Sequence, residues 1–161
     1  MDNYRFDVRT KEEFIKDIDI CTSKEQNIVM MFKDFLKKNY GKECIIENNG
    51  CNNTGKYLED NKVSTKADYV IDGRLVEIKF SNQLIDVFRF KVDQLRSYVK
   101  QKCYILMVNG YETEFCKFKL FRPNELKDLL KNKSPKPFSK WGNKMCYELF
   151  EKDYKWNYFE E

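Results

Sequence analysis

The chain has 161 residues, a formal net charge of +4 and a 16% share of aromatic residues, which suffices for one domain with a substantial core. No apolar run approaches the roughly 18 residues that a membrane span needs. The N-terminal residues also lack the apolar core of a signal peptide. We therefore expect a soluble, cytoplasmic protein with no membrane partner. The modest positive charge permits a polyanionic ligand without requiring one.

Histidine is absent, and the six cysteines form no Cys-x-x-Cys pair. The absence of histidine excludes histidine general bases, Ser-His-Asp and Cys-His nucleophiles, and histidine-ligated metals. Hydrolytic chemistry in this chain would have to use carboxylates, lysine and a metal ion. Cys44, Cys103 and Cys116 lie in apolar runs, which indicates reduced, buried thiols of an intracellular protein rather than a disulfide framework.

The N-terminal third contains two helix signals and one strand signal. Residues 10–20 and 22–40 each begin with a capping pattern, and the second stretch carries apolar residues at helical spacing until Gly41. Residues 44–47 predict a short strand. The Asn- and Gly-rich stretch 48–65 predicts a long loop, a type of segment that is often functional in a compact domain.

Residues 67–80 predict a hairpin that gathers charged side chains on one face. Two β-rich runs flank an Asp-Gly turn, the strongest short hairpin signal, because both turn residues must adopt positive φ. The two-residue loop places Asp68 opposite Glu77, and strand alternation places Lys79 on the same face as Glu77. Carboxylates whose Cβ atoms lie roughly 5 Å apart repel by about 3 kcal/mol at an effective dielectric near 20. A divalent metal would offset this repulsion.

The remaining elements are a helix, two strands and a second helix, predicted at about 91–101, 103–108, 115–121 and from Pro123 to about Leu130. From residue 131 the composition changes, and residues 131–144 contain lysines and no acid. Lysines interleaved with aromatic rings can follow a phosphate backbone and stack on bases. This pattern predicts a nucleic-acid-binding extension at 131–161 that uses Lys136, Lys140, Trp141 and Lys144. The alternative is that these residues form a solvated basic loop. The sequence shows no linker, so we expect a single domain over 1–161.

The order helix, strand, hairpin, helix, strand, with Asp68 on one hairpin strand and Glu77-Ile78-Lys79 on the other, resembles the PD-(D/E)xK nuclease superfamily. The resemblance covers about residues 23–109. It implies an α/β, restriction-endonuclease-like core in the order α-β-β-β-α-β, with a central mixed sheet flanked by helices. Ala67 stands where the motif has proline, a tolerable departure because that proline supplies no ligand.

Two further positions match this superfamily. Gln94 and Tyr98 resemble the Gln-x-x-x-Tyr element of the RecB-like branch, and Glu25 matches the acidic residue of the first helix. Glu25 could instead be the acid of a capping box, and Tyr98 is better explained as an amphipathic residue at the edge of the core. The resemblance implies five catalytic residues, namely Asp68, Glu77, Lys79, Gln94 and Glu25.

The resemblance also implies a Mg²⁺ ion, for which Mn²⁺ could substitute, held by Asp68, Glu77 and the backbone carbonyl of Ile78. Lys79 would orient the attacking water or stabilise transition-state charge, and Gln94 would hold the water or a phosphate oxygen. The expected activity is that of a DNA endonuclease, acting as a homodimer if it cuts both strands. A RecB-like exonuclease, a Holliday-junction-type resolvase and an inactive nucleic-acid-binding module are open alternatives.

Overall fold

The computed structural model describes residues 11–48 and 67–159, with side chains in the first helix from residue 23 onward. Within these ranges the protein has a mixed α/β fold with three helices and two sheets. The helices are α1 (Lys11–Tyr40), α2 (Val92–Lys100) and α3 (Pro123–Asn132). The strands are β1 (Ile46–Asn48), β2 (Tyr69–Ile71), β3 (Arg74–Ser81), β4 (Val87–Lys91), β5 (Tyr104–Asn109), β6 (Lys117–Phe121), β7 (Lys136–Phe138), β8 (Lys144–Phe150) and β9 (Asn157–Tyr158).

The larger sheet is mixed and has the strand order β1-β2-β3-β5-β6-β9. Strands β3 and β5 run parallel, and the other neighbours in this sheet are antiparallel. The predicted hairpin is confirmed, since Tyr69 lies opposite Val76 in the expected register. Asp72 and Gly73 form its turn with φ of 49° and 76°, the left-handed conformation that an Asp-Gly turn supplies.

Two hydrophobic clusters cover the two faces of this sheet. Alternate residues of β5 belong to different clusters, with Ile105 in one and Leu106 in the other, as strand alternation requires. Helix α1 packs on one face through Ile28 and Phe32. Helices α2 and α3 and the smaller sheet pack on the other. The larger sheet is therefore a middle layer, with both of its faces covered.

The N-terminal segment differs from its prediction in one main respect. Residues 11–40 form the single helix α1, where two helices were predicted. The stretch contains no proline or glycine, and capping residues such as Thr22 are only weakly unfavourable inside a helix. Gly41 ends the helix at φ 62° as predicted, and its N–H donates to the Lys37 carbonyl. The loop predicted at 48–65 lies outside the described residues beyond Asn48.

The C-terminal segment contains more regular structure than its composition indicates. Strand β4 was not predicted, and it forms an antiparallel sheet with β8 and β7 in the order β4-β8-β7. Residues 136–150, expected as part of a basic extension, are thus largely paired in this smaller sheet. The four cysteines whose side chains the structure describes, Cys44, Cys103, Cys116 and Cys146, form no disulfide. Among the described helices, none combines the length and apolar character needed to cross a membrane.

Candidate active site

The open edge of β3 forms the floor of the candidate site. Strand β2 begins only at Tyr69, opposite Val76, whereas β3 continues past Val76 to Ser81. Beyond Val76, β5 is the only described strand that pairs with β3. Asp68 immediately precedes β2, and its Oδ2 accepts a hydrogen bond of 3.2 Å from the N–H of Ile78. A carboxylate thus occupies the place of the next backbone pairing in the hairpin.

Glu77 is the central side chain of this site. It is 6% exposed, and among the residues with described side chains it is the only buried acidic or basic one. Its Oε1 lies 3.6 Å from the Nζ of Lys79. The Tyr98 hydroxyl donates a hydrogen bond to Glu77, and Asp68 lies within hydrogen-bonding range of it. The predicted grouping of Asp68, Glu77 and Lys79 on one face is therefore what the structure shows.

Burial dominates the electrostatics of the two carboxylates. It raises the pKa of Glu77 from 4.5 to about 8, since the opposing effects of Lys79 and Tyr98 are smaller and Asp68 raises it further. Burial likewise raises the pKa of Asp68, against the lowering effect of the Ile78 N–H. Two carboxylates this close disfavour each other's ionisation, so a divalent cation between them would favour their charged forms.

The Ile78 backbone carbonyl lies on the same open edge. In a strand, the N–H and C=O of one residue point toward the same neighbour, as the paired exchange in antiparallel ladders shows. The Ile78 N–H points to Asp68. Its carbonyl therefore faces Asp68 as well, where it can serve as an oxygen ligand beside the two carboxylates.

Helix α2 supplies two residues that hold the charged groups in place. Gln94 Oε1 accepts from Lys79 Nζ at 3.4 Å, so Gln94 positions the lysine directly. The ring centroid of Tyr98 lies 5.7 Å from the same Nζ, and its hydroxyl bonds Glu77. Tyr98 was predicted as an amphipathic residue at the edge of the core. Its ring does belong to the core cluster, and the structure adds a hydrogen bond from its hydroxyl to Glu77.

Helix α1 contributes Glu25, which the structure also brings to this site. Burial raises the pKa of Glu25 to about 8, and the charges of Asp68 and Glu77 raise it further. Glu25 and Asp68 also raise the pKa of the Tyr69 hydroxyl, after the larger effect of burial. Tyr69 was not predicted as a site residue, because its position on the opposite face of β2 carries no sequence signal for this role.

The argument for a metal at this site begins with two buried atoms that lack a hydrogen-bond partner. Glu77 Oε2 and the Tyr69 hydroxyl are buried without a hydrogen-bond partner, which is uncommon in folded proteins. No group of three or more Asp, Glu, Cys or His side chains in the described ranges is arranged to hold a metal ion. Two carboxylates and a carbonyl nevertheless fit Mg²⁺, which commonly takes one or two carboxylates and completes its shell with water and phosphate.

The four residues predicted to bind nucleic acid lie in and beside the smaller sheet. Lys136 is on β7, Lys144 is on β8, and Lys140 and Trp141 lie in the 3-10 turn between them. Lys136 and Lys140 are exposed, and Lys144 is partly buried. Trp141 lines a cavity to which Lys79 also contributes, so it is the one of the four that adjoins the carboxylate site.

Asn109, at the end of β5, binds the chain segment that follows β3. It is fully buried, and its Oδ1 accepts hydrogen bonds from the Ser81 hydroxyl and the Ile85 N–H. Its Nδ2 donates to the Ile85 carbonyl at 2.9 Å. Asn109 thereby fixes the connection from β3 to β4, which joins the two sheets.

Comparisons with known proteins add no relative to this description, since no protein-family model matches the chain and no curated protein or solved structure matches it significantly.

Proposed function

We propose that this protein is a metal-dependent nuclease with a PD-(D/E)xK-type core that hydrolyses phosphodiester bonds in DNA. The observation that carries the proposal is the buried Glu77 with the partly buried Asp68 and Lys79 beside it, at a stretch of β3 that no described strand pairs on that side. Two carboxylates held this close together and away from water lower the stability of a fold, because each disfavours ionisation of the other. Neighbouring carboxylates whose pKa values are raised by burial are frequent at catalytic sites.

Asp68, Glu77 and the carbonyl of Ile78 would hold the ion, with Mg²⁺ preferred because all three ligands are oxygens. When bound, the ion would lower the pKa of a water and neutralise charge on the phosphate. Uptake of the cation would displace the proton that burial favours on Glu77. The unpaired Glu77 Oε2 would gain the partner that it lacks.

Lys79 would donate hydrogen bonds to the attacking water or to a non-bridging phosphate oxygen. Its position is defined from two sides, by Glu77 Oε1 and by Gln94 Oε1. Gln94 would therefore act through Lys79 and serve as a positioning residue. Glu25, which reaches the same group of carboxylates, would hydrogen-bond water entering at the open edge.

A cleavage assay tests this proposal. The purified protein is incubated with supercoiled, linear, single-stranded and four-way-junction DNA, with Mg²⁺, Mn²⁺ or Ca²⁺ in turn. Nicking of closed circles in Mg²⁺ or Mn²⁺ supports an endonuclease. A requirement for ends would indicate an exonuclease, and junction-selective cutting a resolvase. Binding without cutting in every metal would contradict the proposal.

Two variants tie cleavage to the site. Glu77→Gln and Lys79→Ala should each reduce cleavage at least about a hundredfold while leaving DNA binding nearly unchanged. Glu47→Gln is the matched control, because Glu47 is an exposed glutamate on β1 of the same sheet. Equal activity of Glu77→Gln and Glu47→Gln would remove the carboxylate pair from the mechanism.

A further inference from the structure

A cavity of about 330 Å³ lies between the larger sheet and the smaller one. Lys79 and Met107 line it from the larger sheet, Arg89 from β4, and Phe138 and Trp141 from the β7 end of the smaller sheet. Lys79 thus borders both this cavity and the carboxylate pair. Whatever enters the cavity lies next to the group proposed to contact the scissile phosphate.

One face of the smaller sheet combines cations with aromatic rings. Arg89 and Lys91 alternate on β4 with Phe88 and Phe90, which point into the core. Lys91 is opposite Cys146 on β8, and Cys146 is opposite Lys136 on β7, so the two lysines share the outer face. Phe138 and Lys144 form the next pair on that face. The predicted basic segment therefore contributes to a defined surface.

The cations on this surface lie over the aromatic rings. The guanidinium carbon of Arg89 is 4.1 Å from the ring centroid of Phe138, and the Nζ of Lys91 is 5.0 Å from the ring of Trp141. The two rings meet edge to face, with centroids 4.9 Å apart. These contacts hold the two rings in fixed positions while Trp141 stays partly exposed, so a ligand that stacks on it costs little further ordering.

Arg89 retains hydrogen-bonding capacity at the cavity. Its Nε is buried without a partner, and its Nη2 lies 3.6 Å from Glu148 Oε2, longer than a good hydrogen bond. The buried side-chain atoms found without partners in the described part are Tyr69 Oη, Glu77 Oε2 and Arg89 Nε. Glu77 Oε2 belongs to the carboxylate site and Arg89 Nε to the adjoining cavity, whereas Tyr69 lies on the opposite face of β2.

We propose that this cavity binds one unstacked nucleobase of single-stranded DNA, next to the phosphate held at Asp68, Glu77 and Lys79. The base stacks on Trp141, Arg89 donates hydrogen bonds to its edge, and Lys91 contacts the neighbouring phosphate. This inference rests on the proposed nuclease function and names its substrate more closely. Base-paired DNA cannot place a base there without unpairing it.

Size and charge favour this ligand. A volume of about 330 Å³ is at the lower end of the roughly 300–1,000 Å³ of small-molecule sites, which suits a single nucleoside. The cations Arg89 and Lys91 suit a ligand that carries phosphates. The rings suit a base, because stacking on aromatic rings binds single strands with little dependence on sequence.

Tryptophan fluorescence tests the inference in a chelating buffer, where no metal-dependent cleavage can occur. The chain has two tryptophans, and Trp156→Phe leaves Trp141 as the sole reporter. An oligothymidylate should quench this emission in a saturable way. An oligonucleotide of equal length that consists only of abasic sites should not quench it and should bind about tenfold more weakly.

Variants at Trp141 separate stacking from packing. Trp141→Ala and Trp141→Leu should each weaken oligothymidylate binding about tenfold, whereas Trp141→Phe should retain most of the affinity. Tyr40→Ala is the matched control, because Tyr40 is an exposed aromatic residue at the end of α1. Circular dichroism should show the same folded signal for all four variants.

Three results would overturn the inference: no binding, binding without quenching, or equal binding of the abasic strand. Its failure is distinguishable from failure of the nuclease proposal. Cleavage in Mg²⁺ together with unaltered single-strand binding by Trp141→Ala would refute the base site alone. Quenching that depends on Trp141, without cleavage in any metal, would refute the nuclease and leave the base site standing.

Discussion

The two sheets of this protein place their charged groups in opposite environments. The larger sheet holds Asp68 and Glu77 beside residues of α1 and α2, where burial raises both pKa values. The smaller sheet displays Lys136 and Lys144 on its outer face, beside aromatic rings. The carboxylates are thus held away from water, whereas these lysines stay near it. The proposed chemistry therefore belongs to the larger sheet and the proposed binding to the smaller one. Lys79 lies beside Glu77 and also lines the cavity next to the smaller sheet.

The largest expected effect separates activity from stability at the larger sheet. Above the Glu77 pKa of about 8, for example at roughly pH 9, Glu77→Gln removes a buried negative charge beside Asp68, so the metal-free variant should be more stable there by on the order of 1 kcal/mol. Cleavage should fall at least about a hundredfold at the same time. Chemical denaturation and plasmid nicking measure the two quantities. If Glu77→Gln were both less stable and fully active, the carboxylate pair would neither destabilise the fold nor take part in cleavage.

The next effect concerns the connection between the sheets. Asn109→Ala removes three hydrogen bonds, to Ser81 and to both backbone groups of Ile85. At about 1 kcal/mol each, the free energy of unfolding should fall by about 3 kcal/mol. Asn39→Ala, at an exposed position near the end of α1, should change it by less than about 0.5 kcal/mol. Similar urea midpoints for both variants would show that Asn109 does not hold the sheets together.

The pH dependence of stability should originate in the larger sheet. Glu77 and Glu25 have pKa values of about 8 in the folded protein and about 4.5 when unfolded, so folding retains their protons. This contribution is complete below pH 4.5 and is lost as the pH rises through about 8. Stability of the metal-free protein should therefore fall over this range, and Glu77→Gln should flatten the profile. A profile that the substitution leaves unchanged would disprove this origin.

The smallest effect tests the smaller sheet through ionic strength. Neutralising Lys136, Lys140 and Lys144 together should reduce the slope of log affinity against log salt by about 2 to 3, if each contacts a phosphate. The matched control neutralises three exposed lysines on the helices, Lys37, Lys38 and Lys100. An equal change in slope for both triple variants would mean that DNA does not select this face.

Local chemistry accounts for the parts of the site that were predictable. The Asp-Gly turn determines the register of the hairpin, and this alone brings Asp68, Glu77 and Lys79 to one side. Gln94 follows from the helical pattern of α2. The hydroxyl bond of Tyr98 to Glu77 and the buried network of Asn109 could not be read in the same way, because each depends on contacts between separate elements.

By itself the sequence determined the hairpin, helices α2 and α3 and the end of α1, since each depends on residues within a few positions of one another. Tertiary structure alone decided the smaller sheet, in which Val87 pairs with Phe150 across more than sixty intervening residues. It also decided that Trp141 meets Lys79 at one cavity. A turn is specified by the φ angles of two residues, whereas the pairing of distant strands is selected by which apolar faces must be buried together.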